Sequence, residues 1–394
     1  MTPVLAAPAA GYDVRALRAS EFPGADSQIY LNHASTGPLP ERTRRALEAF
    51  TRDRTNPFRL PDDRLQGILA DARFRAARLI NAEVGEIALA TNTSFGLNLA
   101  ARMLPFAPGS IVLVSDDEFP ANVFPWRQLC DRGVEMELVP VTAQGWPDEA
   151  RMLERMQDPR VRALAISHVQ FHNGYAADLD TLGRAARASN TWIVADSIQG
   201  LGHLPFDVKK TPVDILACGG QKWLLSPWGS GFMYVRRELV PELVSPLAGW
   251  SAFQGTDNYL TLCDYSGGLK ADARRFELIT LPFQDMLGMS QALDLIHELG
   301  VEAIAAHIES IGRPVIEWAE RRGVRLVSPL GARGSGMVCL AAADVPGGLA
   351  ALHAAGVAVS EREGALRIAP HCYNTIEELS RVADLLDQTM TKRT

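Results

Sequence analysis

Five apolar runs of strand length, separated by helical or turn-rich segments, dominate residues 85–220. They are "SIVLVSDDEF", "VEMELVPV", "VRALAISHV", "TWIVADS" and "VDILACGG". Between the third and the fourth, "LDTLGRAARASN" sets Leu182, Ala185, Ala186 and Ser189 at helical spacing. Strands that are apolar on both faces need cover on both faces, and strand–helix–strand alternation supplies it. The pattern predicts an α/β chain built on a mostly parallel sheet. In such sheets ligands settle at the carboxyl ends of the strands, so the residues just past each run are the candidates for function.

Beyond residue 265 the texture changes. "GMSQALDLIHELG" and "EAIAAHIESIGRPVIEWAERRG" read as long amphipathic helices, and "GMVCLAAADV" and "GALRIAPH" as strands. The last helix opens with "TIEE", where Thr375 and Glu378 have the spacing of a capping box. The expected organisation is a large domain over residues 28–265 and a smaller α+β domain made of residues 266–394 together with residues 1–27.

Composition narrows the function. With 47% hydrophobic residues in 394, the chain has ample material for a core. A net charge of −7 argues against general nucleic-acid binding, which needs a basic field. The five cysteines are scattered with no C-x-x-C pair, so no metal site is expected and a reducing, cytoplasmic setting is. No signal peptide is read at the N-terminus, and no apolar run approaches membrane-spanning length. Neither G-x-x-x-x-G-K-[ST] nor a G-x-G-x-x-G after a strand is present, which leaves nucleotide and nicotinamide sites unsupported.

Four features carry chemistry. In "DILACGGQKWLLSPWGSG", Lys222 follows a core strand and two glycines and is at once surrounded by Trp223, Leu224 and Leu225. Such a lysine must be paired, neutralised or used covalently. The fourth run ends in Asp196 and Gln199; the plain reading of Asp196 is a helix cap or buried ion pair, the sharper one a partner for a protonated ring nitrogen. Thr93, Ser94 and Gly96 stand at the start of a helix with Leu97, Ala100, Ala101 and Leu104 on its apolar face; they make either an ordinary cap or a phosphate cradle. Phe119, just past the first run, is either core or lid packing or a ring stacked on a flat ligand. One ligand satisfies all four sharper readings, having a phosphate, an aromatic ring with a protonatable nitrogen, and an aldehyde for the lysine. That ligand is pyridoxal 5′-phosphate.

The ordered set Thr93-Ser94, Glu118-Phe119, Asp196-x-x-Gln199 and Gln221-Lys222 resembles the aminotransferase class V superfamily. "YLNHASTGPLP", "RRFELITLP" and "LRIAPHCYNTIEEL" resemble its N-terminal, Arg-Phe-Glu-x-Gly-Thr and C-terminal segments. The likeness is to the branch of isopenicillin N epimerases, cysteine desulfurases and kynureninases. It implies the fold of pyridoxal-phosphate-dependent transferases (fold type I), with a large domain on a seven-stranded, mostly parallel sheet and a smaller C-terminal α+β domain. By the same resemblance, Lys222 would form the Schiff base, Asp196 would pair with the pyridine nitrogen, and Gln199 would lie near the phenolic oxygen. Phe119 would stack on the ring, and Thr93, Ser94 and Gln221 would hold the phosphate. Thr280 would reach the phosphate of the neighbouring subunit of a homodimer. Arg367 would bind the substrate carboxylate, with Asn32 and His33 beside it.

Three departures bear on the reaction. The residues before Lys222 are Gly219-Gly220-Gln221, where the family often has Ser-x-His, and Ile279 replaces a glycine before Thr280. A short Ser360–Gly364 connection without cysteine stands where desulfurases carry a cysteine-bearing loop. Cys372 is read as a buried small hydrophobe, and Cys263 and Cys372 are the only candidates for an exposed, activated thiol among the five cysteines. The implied activity is a reaction at Cα of an α-amino acid in the epimerase/desulfurase-like branch, with β-lyase (C–S lyase) action and transamination as alternatives. A protein that keeps the fold and binds without turnover is the reading from outside enzymology.

Overall fold

The structure is a computed structural model that describes residues 11–278 and 280–390. A short strand, β1 (Ile29–Tyr30), precedes the main sheet. That sheet contains β2 (Ile87–Leu89), β3 (Ile111–Ser115), β4 (Glu135–Val139), β5 (Val161–Ser167), β6 (Trp192–Asp196), β7 (Ile215–Gly219) and β8 (Gly231–Val235). Their spatial order is β2-β8-β7-β6-β5-β3-β4. The pairs from β7 through β4 are parallel, and β8 is antiparallel to both its neighbours. All five expected strands are present. The other two, β2 and β8, were not anticipated: β2 is three residues long, and β8 opens with a glycine behind a Pro- and Trp-rich turn.

Side chains alternate across the sheet. Leu113, Leu164, Ile193 and Leu216 face one apolar layer, shared with the helices Asp62–Leu79 and Phe283–Leu299. Val112, Val114, Val194 and Ala217 face the other, shared with the helix Thr93–Met103, whose Leu97, Ala100, Ala101 and Leu104 are all buried. That helix sits close on the sheet because Gly96 has no side chain; a Cβ there would be 2.8 Å from the Cβ of Ala217 on β7. The close approach carries the helix N-terminus to the carboxyl end of β7, where the Gly219 N–H donates to Thr93 Oγ1 at 2.8 Å.

The C-terminal half adds β9 (Arg325–Leu326), β10 (Val338–Ala341), β11 (Val357–Ala358), β12 (Ser360–Arg362) and β13 (Ala365–Ile368). An antiparallel sheet runs β12-β13-β10-β9, while β11 pairs with β1 in parallel. The helices Val301–Arg322 and Ile376–Met390 contribute Ile311, Val315, Trp318, Leu379 and Val382 to the cluster this sheet covers. The expected capping box is formed: the Thr375 N–H donates to Glu378 Oε2 at 3.0 Å, and the Glu378 N–H to Thr375 Oγ1 at 3.3 Å.

The expected boundaries at 27/28 and 265/266 do not coincide with changes in packing. Residues just past 28 belong with the C-terminal half, since β1 pairs with β11 and Asn32 bridges to Ala369. The helix Phe283–Leu299, past 265, lends Met286, Met289, Leu293 and Ile296 to the large sheet's own core. Texture changed at 265 because the secondary structure changed; the apolar layer continues across it. A valine at Gly96 would add bulk where Ala217 leaves no room, so Gly96→Val should lower stability by about 1–3 kcal/mol in denaturant unfolding. A variant as stable as the parent would contradict this packing.

Candidate active site

The carboxyl ends of β6 and β7 lie side by side, since the strands are paired in register from Val194/Ile215 to Asp196/Ala217. Asp196 ends β6, is 3% exposed, and accepts one hydrogen bond at Oδ1 from the Ile198 N–H at 3.1 Å. Past the end of β7 the chain makes a tight turn at Lys222. The Leu225 N–H returns to the Lys222 carbonyl at 3.1 Å, and Leu225 takes a φ of +52°, which an L-residue holds only under constraint from its surroundings. The constraint is visible: the Gly37 N–H donates to the Gln221 carbonyl at 2.8 Å, and a Cβ on Gly37 would lie 2.3 Å from the Lys222 oxygen. His371 holds the next peptide. Its Nδ1 accepts from the Cys372 N–H at 2.7 Å, so its Nε2 carries the proton and donates to the Trp223 carbonyl at 2.9 Å.

Burial dominates the electrostatics here. It pushes the Asp196 carboxyl up to about 7, with Glu118 adding repulsion. Burial brings the Lys222 ammonium down to about 8; attraction to Asp196 opposes this, and Arg367 and Arg362 add to it. The Lys222 Nζ stands 5.6 Å from the centroid of the Phe119 ring. Phe119 is 43% exposed and meets Phe171 edge-to-face at 5.3 Å. Its strand exit is anchored by the buried Glu118, which accepts from the Ser167 N–H, Gln170 Nε2 and Asn122 Nδ2 at 2.7, 2.7 and 3.2 Å and also from the Ser167 hydroxyl.

Around the helix start, Thr93 is buried and Ser94 exposed, with Asn92 capping through the Phe95 N–H at 2.8 Å. A Cβ on Gly219 would press on Gln221 Oε1 at 2.7 Å and Thr93 Oγ1 at 3.2 Å, so these polar groups converge on a cradle that only glycine leaves open. Gln199 is buried; its Nε2 donates to the Ala34 carbonyl at 2.9 Å and its Oε1 accepts from Trp223 Nε1 at 2.8 Å. It therefore braces the lysine turn and retains one amide hydrogen for a ligand.

Arg367 on β13 is 1% exposed. Its Nη1 donates to the Phe171 carbonyl at 2.5 Å, its Nη2 to Ser35 Oγ at 2.8 Å, and its Nε has no protein partner. Asn32 Oδ1 is likewise buried without a partner, as a ligand-facing group would be. His33 does not fit its expected place. It is fully buried, with Nδ1 on the Ala369 carbonyl at 2.8 Å and Nε2 on the Tyr373 hydroxyl at 3.1 Å, so both ring nitrogens are occupied and it serves packing. Thr280 stands apart from the cluster; it is exposed and lines a cavity with Arg73, Lys270 and Arg274.

The short connection before Arg367 is a strand and a two-residue turn, Glu363-Gly364, at φ of +46° and +72°. The cysteine expectation needs correction at Cys130 alone. Cys130 and Cys263 are exposed, whereas Cys372 is buried and its thiol is pushed far up by desolvation. Sequence reading also missed Ser35, Arg362, Phe171 and His371. Ser35 and His371 stand inside the quoted segments "YLNHASTGPLP" and "LRIAPHCYNTIEEL", so their signal was present; Arg362 and Phe171 reach the site only through tertiary contacts.

A half-buried lysine, a buried carboxylate, an aromatic ring beside the lysine, and a hydroxyl- and amide-lined helix start suit pyridoxal 5′-phosphate. The family model of class-V aminotransferases matches residues 29–382. The chain is 31% identical over 380 residues to isopenicillin N epimerase of Streptomyces clavuligerus, covering 91% of this chain and 94% of that one. It is 30% identical over 292 residues to a probable cysteine desulfurase of Methanothermobacter thermautotrophicus, covering 73% and 71%. Among solved structures, the cystine C–S lyase C-DES in complex with cysteine persulfide superposes with a TM-score of 0.82 at 23% identity, covering 92% and 99%.

The Asp196 shift has a consequence for stability. A carboxyl raised from 3.8 to about 7 keeps, when folded, a proton that the unfolded chain has already lost, so raising the pH through that window erodes stability. Without cofactor, the parent's melting temperature should therefore fall relative to Asp196→Asn as the pH rises across this range. Parallel profiles for the two proteins would contradict the burial of this charge.

Proposed function

Because the chain belongs to the aminotransferase class-V family of pyridoxal-phosphate-dependent enzymes, we propose that it acts at Cα of an α-amino acid, as in the epimerase/desulfurase-like branch. The observation that carries this reading is the convergence of half-buried Lys222 and buried Asp196 at the ends of adjacent strands. The cofactor, when bound, supplies an electron sink that weakens the bonds at Cα. In this reading Lys222 both attaches it and moves the Cα proton; an amine brought down to about 8 by burial is partly neutral near physiological pH. Asp196 would hold the ring nitrogen protonated, Phe119 would cover the ring, and Gln199 would have its remaining amide hydrogen for the phenolic oxygen. Thr93, Ser94 and Gln221 hold the phosphate, and Arg367 takes the α-carboxylate through its fixed planar fork, with Asn32 beside it.

We further propose a cytoplasmic homodimer. Thr280 stands away from its own chain's cluster, as a residue serving a neighbour would, and Trp228, Val244, Trp250, Leu260 and Tyr265 are large apolar side chains left exposed. Among the described residues no helix is long and apolar enough to cross a membrane.

Within this reading epimerisation comes first, on the likeness to isopenicillin N epimerase over nearly the whole chain. The cysteine-free hairpin supports β-elimination as the second reading, with sulfur released and not carried on the protein. Incubation of the holoenzyme with a panel of amino acids, assayed for enantiomer change, pyruvate, sulfide and keto acid, should show one of these reactions. Cys372→Ser should turn over within about twofold of the parent, since a buried thiol held protonated is not a nucleophile. Loss of activity in that variant, with persulfide on Cys372 of the parent, would return the chain to the persulfide-forming desulfurases.

A further inference from the structure

Two guanidinium groups converge on one hydroxyl beside Lys222. Ser35 Oγ accepts from Arg367 Nη2 at 2.8 Å and from Arg362 Nη2 at 3.2 Å. The hairpin makes this unavoidable. Ser360 pairs with Arg367 and Arg362 with Ala365, so, with side chains alternating, both arginines project from the same face of β12 and β13. The Glu363-Gly364 turn, with both residues in the left-handed region, fixes that register.

Neither arginine has a carboxylate within ion-pairing distance among the described residues. The remaining bonds of Arg362 and Arg367 go to the Glu361 and Phe171 carbonyls, and Arg367 Nε has no partner at all. Like charges placed together and left unneutralised are unfavourable unless a ligand supplies the opposite charge. Each arginine also lowers the proton affinity of Lys222, which places both within electrostatic reach of the reacting amine. One α-carboxylate satisfies one planar fork. The second cation remains.

Resting on the proposed reaction at Cα, we infer that Arg362 is a specificity-determining residue that binds a second carboxylate, and that the substrate is an α-amino acid whose side chain carries one. Ser35 holds the two forks apart, so that Arg367 meets the α-carboxylate and Arg362 the distal one. The partnerless Nε of Arg367 is then filled by substrate.

Dicarboxylates that lack an amino group test this independently of any turnover, because they cannot react at the cofactor. Isothermal titration of the holoenzyme with succinate and glutarate, each against its monoamide, compares ligands of equal size that differ by one charge. The diacid that matches the spacing should bind about 10- to 100-fold tighter than its monoamide, the value of a charge-assisted bidentate contact. In Arg362→Gln that ratio should fall to within about twofold of one, with the visible spectrum of the bound cofactor unchanged. Arg362→Lys should recover only part of it, because a point charge lacks the fork. The inference is overturned if neither diacid is preferred by the parent, or if Arg362→Gln weakens diacid and monoamide equally. Failure of Lys222 to carry the cofactor would instead remove the reaction while leaving this binding result readable.

Discussion

The structure depends on drawing a lysine partly, and a carboxylate almost wholly, out of water at the ends of adjacent parallel strands. Neither group is stable there alone, since each loses hydration on burial. Mutual attraction recovers part of that loss, and burial still moves Asp196 upward and Lys222 downward. A site in this condition favours a ligand that brings its own positive ring nitrogen for the acid and an electrophile for the amine. The surrounding fold holds the pair in place: Gly37 packed on the lysine carbonyl, Leu225 in a left-handed turn, His371 on the next peptide, and Gln199 on the Trp223 indole.

Local chemistry was legible in the sequence where function and secondary structure coincide. Asp196 and Lys222 end apolar runs, so the same residues that mark the strands mark the site. Thr93 and Gly96 open a helix, and Gly96 also sets how close that helix comes to β7. Where tertiary contacts decide, the reading ran out. The resemblance set His33 beside the substrate, but the Ala369 carbonyl and the Tyr373 hydroxyl, more than 300 residues away, take both its nitrogens. Cys130 was expected to be covered because it follows an apolar helical stretch, and it is exposed. Packing also crosses the expected edge at 265/266: the helix Phe283–Leu299 follows a change in texture yet adds to the core of the large sheet.

The hairpin from Ser360 to Ile368 links these observations to chemistry. Its two-residue turn leaves no loop on which to mount a thiol, and its register aligns two arginines on one face. A site so arranged is better equipped to recognise anionic substrate groups than to accept sulfur. Phe119 points the same way, since an aromatic ring beside Lys222 can cover a ligand but supplies no proton.

The central claim is that Lys222 is the residue that binds the cofactor covalently. Borohydride reduction of the purified holoenzyme, followed by proteolysis and mass spectrometry, measures this directly. The cofactor mass should appear, in near-stoichiometric amount, on the peptide that contains Lys222. Label on Lys209, Lys210 or Lys270 instead, or no covalent label on a protein that retains cofactor, would contradict it.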